Sequence, residues 1–496
     1  MKTAIVAFVL SMLCGTILTP FVRWLAHRFG ALDHARSSRK IHGKPIPRLG
    51  GIAIVVAFYT PLVGLLIFQT GVGALFLAER EHVIGLFVGG LAIAALGLYD
   101  DLRGANAWKK FVVQFAVAGL LYKLGFRIDA IANPLGEPIA LGWASLPFTM
   151  LWFVGVINAL NLIDGLDGLA GGVALVAVIT TFLVALQRAH PLMMLFSSAL
   201  AGAIIGFLFY NFNPASIFMG DTGSMFLGFA LAATTIQTNQ KSSTVVAVLI
   251  PAIALGLPIM DTLLAIGRRA MRGRPLFQAD REHIHHRLMA AGLSHRQAVL
   301  VLYFLCVLLG VAALILTYAN GAQSTLLLIV LALVALVFLR SLGYMRLDRV
   351  SASAIDRKRN RALRGALRPL GRRLRQARAT EEMWPIVVEA AGIVEASRVR
   401  LRSEGPSVAE TGTFSQGFDE NGELNETVPF VVPSGKGVEH VLELAWPDGR
   451  REVDRDTEIA IDIFCEHLGD ALELLNSSGI NGRGAVPLSP RQRGSR

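Results

Sequence analysis

The chain has 496 residues, 53% hydrophobic and only 17% charged, with a formal net charge of +11. Its mean hydropathy is +0.53, a balance that excludes an ordinary soluble domain and fits a polytopic membrane protein. Its cysteines, Cys14, Cys306 and Cys465, are too far apart for a zinc or redox motif and read as packing residues.

The hydrophobic residues are concentrated in positions 1–343, in runs of about 17–25 residues, the length a helix needs to cross a ~30 Å hydrocarbon core. Eleven spans are predicted, over 3–22, 49–69, 82–99, 111–126, 144–161, 168–187, 192–210, 223–237, 244–266, 298–318 and 323–342. The first lacks a small-x-small cleavage site and reads as a retained anchor. Arg23, Arg28, Arg36, Arg39, Lys40, Lys44 and Arg48 follow span one. Arg103, Lys109 and Lys110 follow span three, and Arg268, Arg269, Arg272, Arg274, Arg281, Arg287 and Arg296 follow span nine. The positive-inside rule places these loops in the cytoplasm, the N-terminus outside and the C-terminus inside.

Residues 344–496 contain no such run. Positions 346–378 hold twelve Arg/Lys against two Asp, a local charge of +10, whereas 379–496 hold eleven Arg/Lys against twenty-one Asp/Glu, or −10. A basic juxtamembrane linker (344–379), attracted to anionic lipid at about 1 kcal/mol per cation, is therefore expected. It precedes a cytoplasmic α+β domain over 380–478. There EEMWPIVVEAAGIV and DTEIAIDIFCEHLGDALELL read as helices, SRVRLRS and VEHVLELAW as strands, and PDG as a turn. The strand–turn–long-helix ending resembles GAF-type sensory domains. The tail (479–496) has the composition of a disordered segment.

Within the membrane part, five polar stretches all fall at cytoplasmic loops of this topology: KIHGKPIPRLGG (40–51), YDDLRGANAWKKF (99–111), NALNLIDGLDGLAGG (158–172), NFNPASIFMGDTGS (211–224) and DREHIHHRL (280–288). Lys40 is suited to grip an anionic substrate. Asp100 and Asp101 end span three, where the helix dipole disfavours negative charge, which argues for function over solubility. Lys110 begins the next span and can return to the same site. Three-residue steps keep Asn158, Asn161 and Asp164 within about 120° on one helix face and send Asp167 to the other. Gly165 and Gly168 are expected to unwind the helix so that all four polar groups point into one cavity. Asp221 lies between Gly220 and Gly223, with the next helix expected to start just after it and to aim its amides at an anion. His285, His286 and Arg287 fit contacts to substrate phosphate or to a magnesium site better than a zinc site.

Carboxylates and amides suit magnesium shared with substrate phosphates, and nearby Lys, Arg and His suit a pyrophosphate. Phosphoryl transfer needs chiefly positioning and charge neutralisation. The combination DD…K, NxxNxxDGxDGL, GDTGS and HxHHR, in this order, resembles the polyprenyl-phosphate N-acetylhexosamine-1-phosphate transferase family, over essentially residues 1–343. The resemblance implies magnesium, with manganese as a substitute, and transfer of sugar-1-phosphate from a UDP-sugar to undecaprenyl phosphate with release of UMP. It implies Asp221 as main metal ligand assisted by Asn161. Asp164 and Asp167 would lie near the nucleotide, Lys110 and Arg287 near the pyrophosphate, and Asp100 and Asp101 would face the lipid phosphate, with Asn158 also expected to bind substrate. One of these two would be the general base. A phosphate monoester is largely dianionic at pH 7, so positioning of the acceptor is the other role open to Asp100.

HIHHRL, rather than three consecutive histidines, resembles the branch that primes O-antigen, enterobacterial common antigen or teichoic acid with UDP-N-acetylglucosamine. The peptidoglycan branch, which uses UDP-N-acetylmuramoyl-pentapeptide, is the alternative. An ion-coupled transporter is the alternative of another class, but its acids would sit nearer the bilayer midplane. The expected setting is a bacterial inner membrane with a cytoplasmic active site, no nucleic-acid partner, and a homodimer as the oligomer.

Overall fold

The computed structural model describes residues 1–29, 32–33, 46–67, 71–131, 133, 139–240, 249–272, 283–319, 321–344, 362–363, 365–404, 412–416, 427–433, 439–450, 453 and 455–477. Lys40 and the tail 479–496 lie outside them. The chain divides into two units, one comprising Met1–Arg268 with Leu276–Arg346, the other Arg269–Pro275 with Leu347–Arg496.

In the first unit the apolar runs become helices, since a helix satisfies its backbone groups within one segment. In chain order these are α1 (Lys2–Arg28), α2 (Gly50–Ile67), α3 (Gly71–Ala78), α4 (Arg80–Arg103), α5 (Ala107–Lys123), α6 (Ser145–Ile163), α7 (Leu169–Gln187), α8 (Pro191–Asn211) and α9 (Gly220–Gln240). After them come α10 (Leu249–Ala254), α11 (Gly256–Arg272), α12 (Ile284–Ala290), α13 (His295–Leu316) and α14 (Gly321–Ser341). Two-residue ladders join β1 (Leu32–Asp33) to β2 (Ile46–Pro47) and β3 (Ala130–Ile131) to β4 (Ile139–Ala140). Among the described residues seven helical segments are long and apolar enough to cross a membrane: α1, α4, Gly142–Ile163, α7, α8, α13 and α14. Two expectations change. The ninth span is two helices that break at Leu255, and the second of them continues past residue 266 to Arg272. Asp221 sits inside the first turn of α9 and does not precede the helix.

Helix α8 is buried along most of its length, with Phe209 exposed, and packs against α1, α2 and α7. By contrast α14 buries only Ser324 and exposes Leu326, Ile329, Leu333 and Val337, as a lipid-facing helix would. Helix α1 reaches α8 through small residues. A Cβ on Gly202 would lie 2.2 Å from the Phe8 carbonyl oxygen, and one on Gly206 would lie 2.5 Å from that of Met12. This is close backbone packing of the small-xxx-small kind. The N-terminus of α9 is seated the same way. A Cβ on Gly51 of α2 would lie 2.1 Å from the Gly223 nitrogen, and one on Gly97 of α4 would lie 2.5 Å from the Thr222 Cα. No side chain fits between these three helices.

The second unit is built on a four-stranded antiparallel sheet in the order β6 (Gly412–Gln416), β5 (Arg398–Glu404), β8 (Glu439–Ala445), β7 (Val428–Val432). Alternate residues Val399, Leu401, Phe430, Val432, Leu442 and Leu444 form one apolar core with α16 (Thr380–Ile393), α17 (Arg455–Ser477) and a helix α15 over 365–374. Trp446 is buried there and its Nε1 donates to the Val394 carbonyl at 2.8 Å. On the opposite face Glu443 lies between Arg400 and Arg402, at 3.6 and 3.5 Å. Leu367, Leu370 and Leu374 belong to this core. The second half of the segment expected as a basic linker therefore holds an integral helix, with Arg368, Arg372 and Arg373 exposed on it. The i, i+3, i+7 spacing of these leucines, hidden among arginines, is the reason.

Replacing Gly202 with Val should separate α1 from α8 at a cost of about 1–3 kcal/mol. The expected readout is a lowered thermal unfolding midpoint of the detergent-solubilised protein. An unchanged midpoint would refute the close packing.

Candidate active site

The site is organised by a buried carboxylate. Asp101, near the C-terminus of α4, accepts hydrogen bonds from the Asp221 and Thr222 backbone amides at 2.9 and 3.0 Å, and from the Thr222 hydroxyl at 2.7 Å. It thus acts as an N-cap supplied by another helix, and such caps contribute about 1 kcal/mol, more when the anion also meets the helix dipole. The sequence reading left the α9 amides facing a ligand; the anion they hold is the protein's own. Arg48 donates to the Asp101 carbonyl at 2.9 Å. The Gly50 and Gly51 amides donate to the Phe218 and Met219 carbonyls at 2.9 and 2.8 Å, so the GDTG turn is held from both sides. Gly220 adopts a positive φ of 66° at the point where a side chain would strike Asp101 and the Arg48 carbonyl.

Asp100 therefore parts from its neighbour. Its Oδ2 accepts from Lys110 Nζ at 2.7 Å and its Oδ1 from the Ala105 amide. The same Lys110 ammonium, at the start of α5, reaches Asp221 Oδ2. Three helices thus meet at one partly accessible cation between two carboxylates. The two adjacent aspartates were expected to face the lipid phosphate together; only Asp100 stands in the polar cluster, because the roughly 100° between successive residues turns Asp101 into the protein.

The stretch NALNLIDGLDGLAGG also divides. Helix α6 does end at Ile163, and Gly168 at φ 77° opens α7, so the expected unwound turn is present. Its polar residues do not share one cavity. Asn158 donates to Gln114 Oε1 at 2.7 Å, and Gln114 donates to Met225 Sδ, a polar link between α5, α6 and α9. Asn161 donates to Ser224 Oγ at 2.9 Å and hydrogen-bonds Asp221. Asp167 accepts from Asn213 Nδ2 and the Ala215 amide at 2.9 and 3.0 Å and pins the loop before α9. Of these four side chains, only the Asp164 carboxyl has no hydrogen-bond partner among the described residues. Burial, together with the charges of Asp221, Asp101 and Asp167, pushes its pKa up to about 8.

His285 lies directly over this turn: a Cβ on Gly165 would be 2.7 Å from its Nε2. The ring is buried and neither nitrogen has a partner among the described residues. Burial, with His286 and His283 nearby, holds its pKa down to about 3, so it is neutral at pH 7. The His286 ring lies 4.2 Å from it. Arg287, expected at the pyrophosphate, donates instead to the Leu342 carbonyl at 3.0 Å and stacks on Tyr344 at 3.9 Å. Asp261 on α11 is a partner not singled out from sequence. It accepts from the Ile284 amide and contacts His283 Nδ1, both at 2.9 Å. An acid inside an apolar span was the available signal.

This geometry can bind and neutralise phosphates. A model of glycosyl transferase family 4 matches residues 83–239. A protein of Bacillus subtilis named as a probable undecaprenyl-phosphate N-acetylglucosaminyl 1-phosphate transferase is 39% identical over 317 residues, covering 64% of this chain and 86% of that protein. A decaprenyl-phosphate N-acetylglucosaminephosphotransferase of Mycolicibacterium smegmatis is 37% identical over 350 residues, covering 64% and 83%. A phospho-N-acetylmuramoyl-pentapeptide-transferase of Halalkalibacterium halodurans is 29% identical over 328 residues, covering 63% and 95%. Together with the motifs, these likenesses make the chain a member of the polyprenyl-phosphate N-acetylhexosamine-1-phosphate transferase family, a multi-pass membrane phosphoglycosyltransferase.

Proposed function

We propose that the chain transfers N-acetylglucosamine-1-phosphate from UDP-N-acetylglucosamine to undecaprenyl phosphate, the step that starts a cell-surface polysaccharide. A lipid phosphate oxygen attacks the sugar-linked phosphorus, the bond to the UMP oxygen breaks, and UMP leaves. The carrying observation is Lys110 held between Asp100 and Asp221, an ammonium placed by two carboxylates for a phosphate to meet. The names of the Bacillus and Mycolicibacterium relatives support the sugar. In this reading Asp100, with one oxygen on the Ala105 amide and the other on Lys110, positions the acceptor, and Asp101 positions Asp221. Asp164, His285 and His286 contact the donor. The arginine-rich loops support a cytoplasmic site, an N-terminus outside, a C-terminus inside and α10–α11 as the ninth of eleven crossings.

Magnesium fits the donor set. Among the described residues no three His, Cys, Asp or Glu side chains form a ready metal cage. Magnesium, however, usually draws on one or two carboxylates and completes its shell with water and substrate phosphates. Asp164 is an unpartnered carboxyl in a field of three other acids, a negative excess that a cation would relieve. Asp221, Asn161 and Asp164 would hold the ion, and it would supply charge neutralisation at the pyrophosphate.

Purified protein given radiolabelled UDP-N-acetylglucosamine and undecaprenyl phosphate should form an organic-soluble labelled lipid and release UMP. Chelation should stop the reaction and added magnesium restore it. Labelling only with UDP-N-acetylmuramoyl-pentapeptide would move the enzyme to the peptidoglycan branch, and no labelling with any UDP-sugar would refute the transferase reading.

Lys110→Gln should lower kcat by about 10²–10³-fold, the usual loss for a charge-stabilising donor, while the protein still folds. A loss under tenfold would remove Lys110 from the transition state.

Asp164→Asn should stabilise the metal-free protein while impairing transfer. The folded-state pKa of about 8 exceeds the ordinary value, so the wild type loses stability as pH rises from about 4 to about 8, and the penalty is complete above that. The thermal midpoint of the variant in chelator should therefore exceed that of the wild type by a margin that widens from pH 5 to 8. A margin independent of pH would show that the carboxyl is not strained.

A further inference from the structure

A second buried acid, outside the carboxylate cluster, bears on the same site. Asp261 sits on α11 and is 3% exposed, and His283, before α12, is 4% exposed. One Asp261 oxygen accepts from the Ile284 amide and the other contacts His283 Nδ1, each at 2.9 Å. The His283 ring is parallel to that of His285, 5.8 Å away with 3° between the planes. His285 in turn lies over Gly165, beside Asp164, with both ring nitrogens unsatisfied in a buried setting. Buried polar atoms are seldom left in that condition unless a ligand completes them.

We propose that Asp261 is a positioning residue of the transfer reaction: it fixes the start of α12 and the tautomer of His283, and the stacked His283 ring aims His285 at the donor's phosphate-bearing end over Gly165. The arrangement parallels a carboxylate that orients a functional histidine through its other ring nitrogen, except that here the orientation passes through a ring stack. A charge at Asp261 also has a local structural use, since it caps α12. The two uses can be separated because each oxygen serves a different partner. The inference rests on the transferase reading, and wild-type activity tests that reading by itself.

The test uses the full-length protein in detergent with UDP-N-acetylglucosamine and undecaprenyl phosphate. In Asp261→Asn the carbonyl oxygen still accepts from Ile284, while the amide no longer accepts a proton from His283. The expected result is a folded protein with kcat/KM lowered about 10–100-fold, the usual cost of losing such an orienting partner. His285→Gln should lose at least as much, and the double variant should lose no more than His285→Gln alone, since both changes remove one function. His283→Gln, which keeps Asp261, should reproduce the loss. Activity of Asp261→Asn within twofold of wild type, or losses that multiply in the double variant, would overturn the assignment. Failure of both Asp261→Asn and His283→Gln to fold would overturn it in favour of a purely structural pair. An inactive wild type would instead refute the transferase reading.

Discussion

The carboxylate of Asp101 on the first turn of α9 is the contact on which the geometry of the polar cluster depends. Two backbone amides and a hydroxyl converge on it, in a place where helices α2, α4 and α9 approach too closely for any side chain. A helix end buried in a bundle leaves its first amides without partners. In water they would be solvated, but here a neighbouring helix must supply the acceptor. Because the cap holds the backbone amide of Asp221 itself, it fixes that residue, and through its side chain the position of Lys110.

Polar residues in this membrane unit therefore serve two different ends. Asp101, Asp167, Asn158 and Asp261 have satisfied contacts that tie one element to another: α4 to α9, the α6–α7 turn to the loop before α9, α6 to α5, and α11 to α12. Asp164 and His285 lack partners and face each other's surroundings across Gly165. Burying an unpaired polar group costs free energy, so the His285 ring and the Asp164 carboxyl stand apart from the satisfied groups, which form the frame around them. Glycine is needed at Gly165 for the same reason, since any Cβ would push the imidazole away.

The second unit follows ordinary soluble-domain physics. Its alternating strands bury one face beneath α15, α16 and α17, and the Arg400–Glu443–Arg402 set lies on the other. The family model matches residues 83–239, within the membrane unit, and the motif residues lie in that unit. In the sequence the arginines of 365–378 mask the leucine stripe that places α15 in the core, which is why charge alone suggested a linker.

Hydropathy and Arg/Lys placement were enough to read a helical membrane unit, a separate C-terminal α+β unit and the five polar stretches, because helix formation and span length are local properties set by consecutive residues. Residue type and spacing were enough for the reaction class. Which acids reach the site was not legible. Asp100 and Asp101 are adjacent and chemically identical, and only the seat of α9 against Gly51 and Gly97 sends one to Lys110 and the other to a cap. The same holds for Asp164 and Asp167, parted by the turn that Gly168 opens. Hydrogen-bond partners more than 40 residues apart in sequence are chosen by helix packing, and no local pattern in the chain encodes that choice.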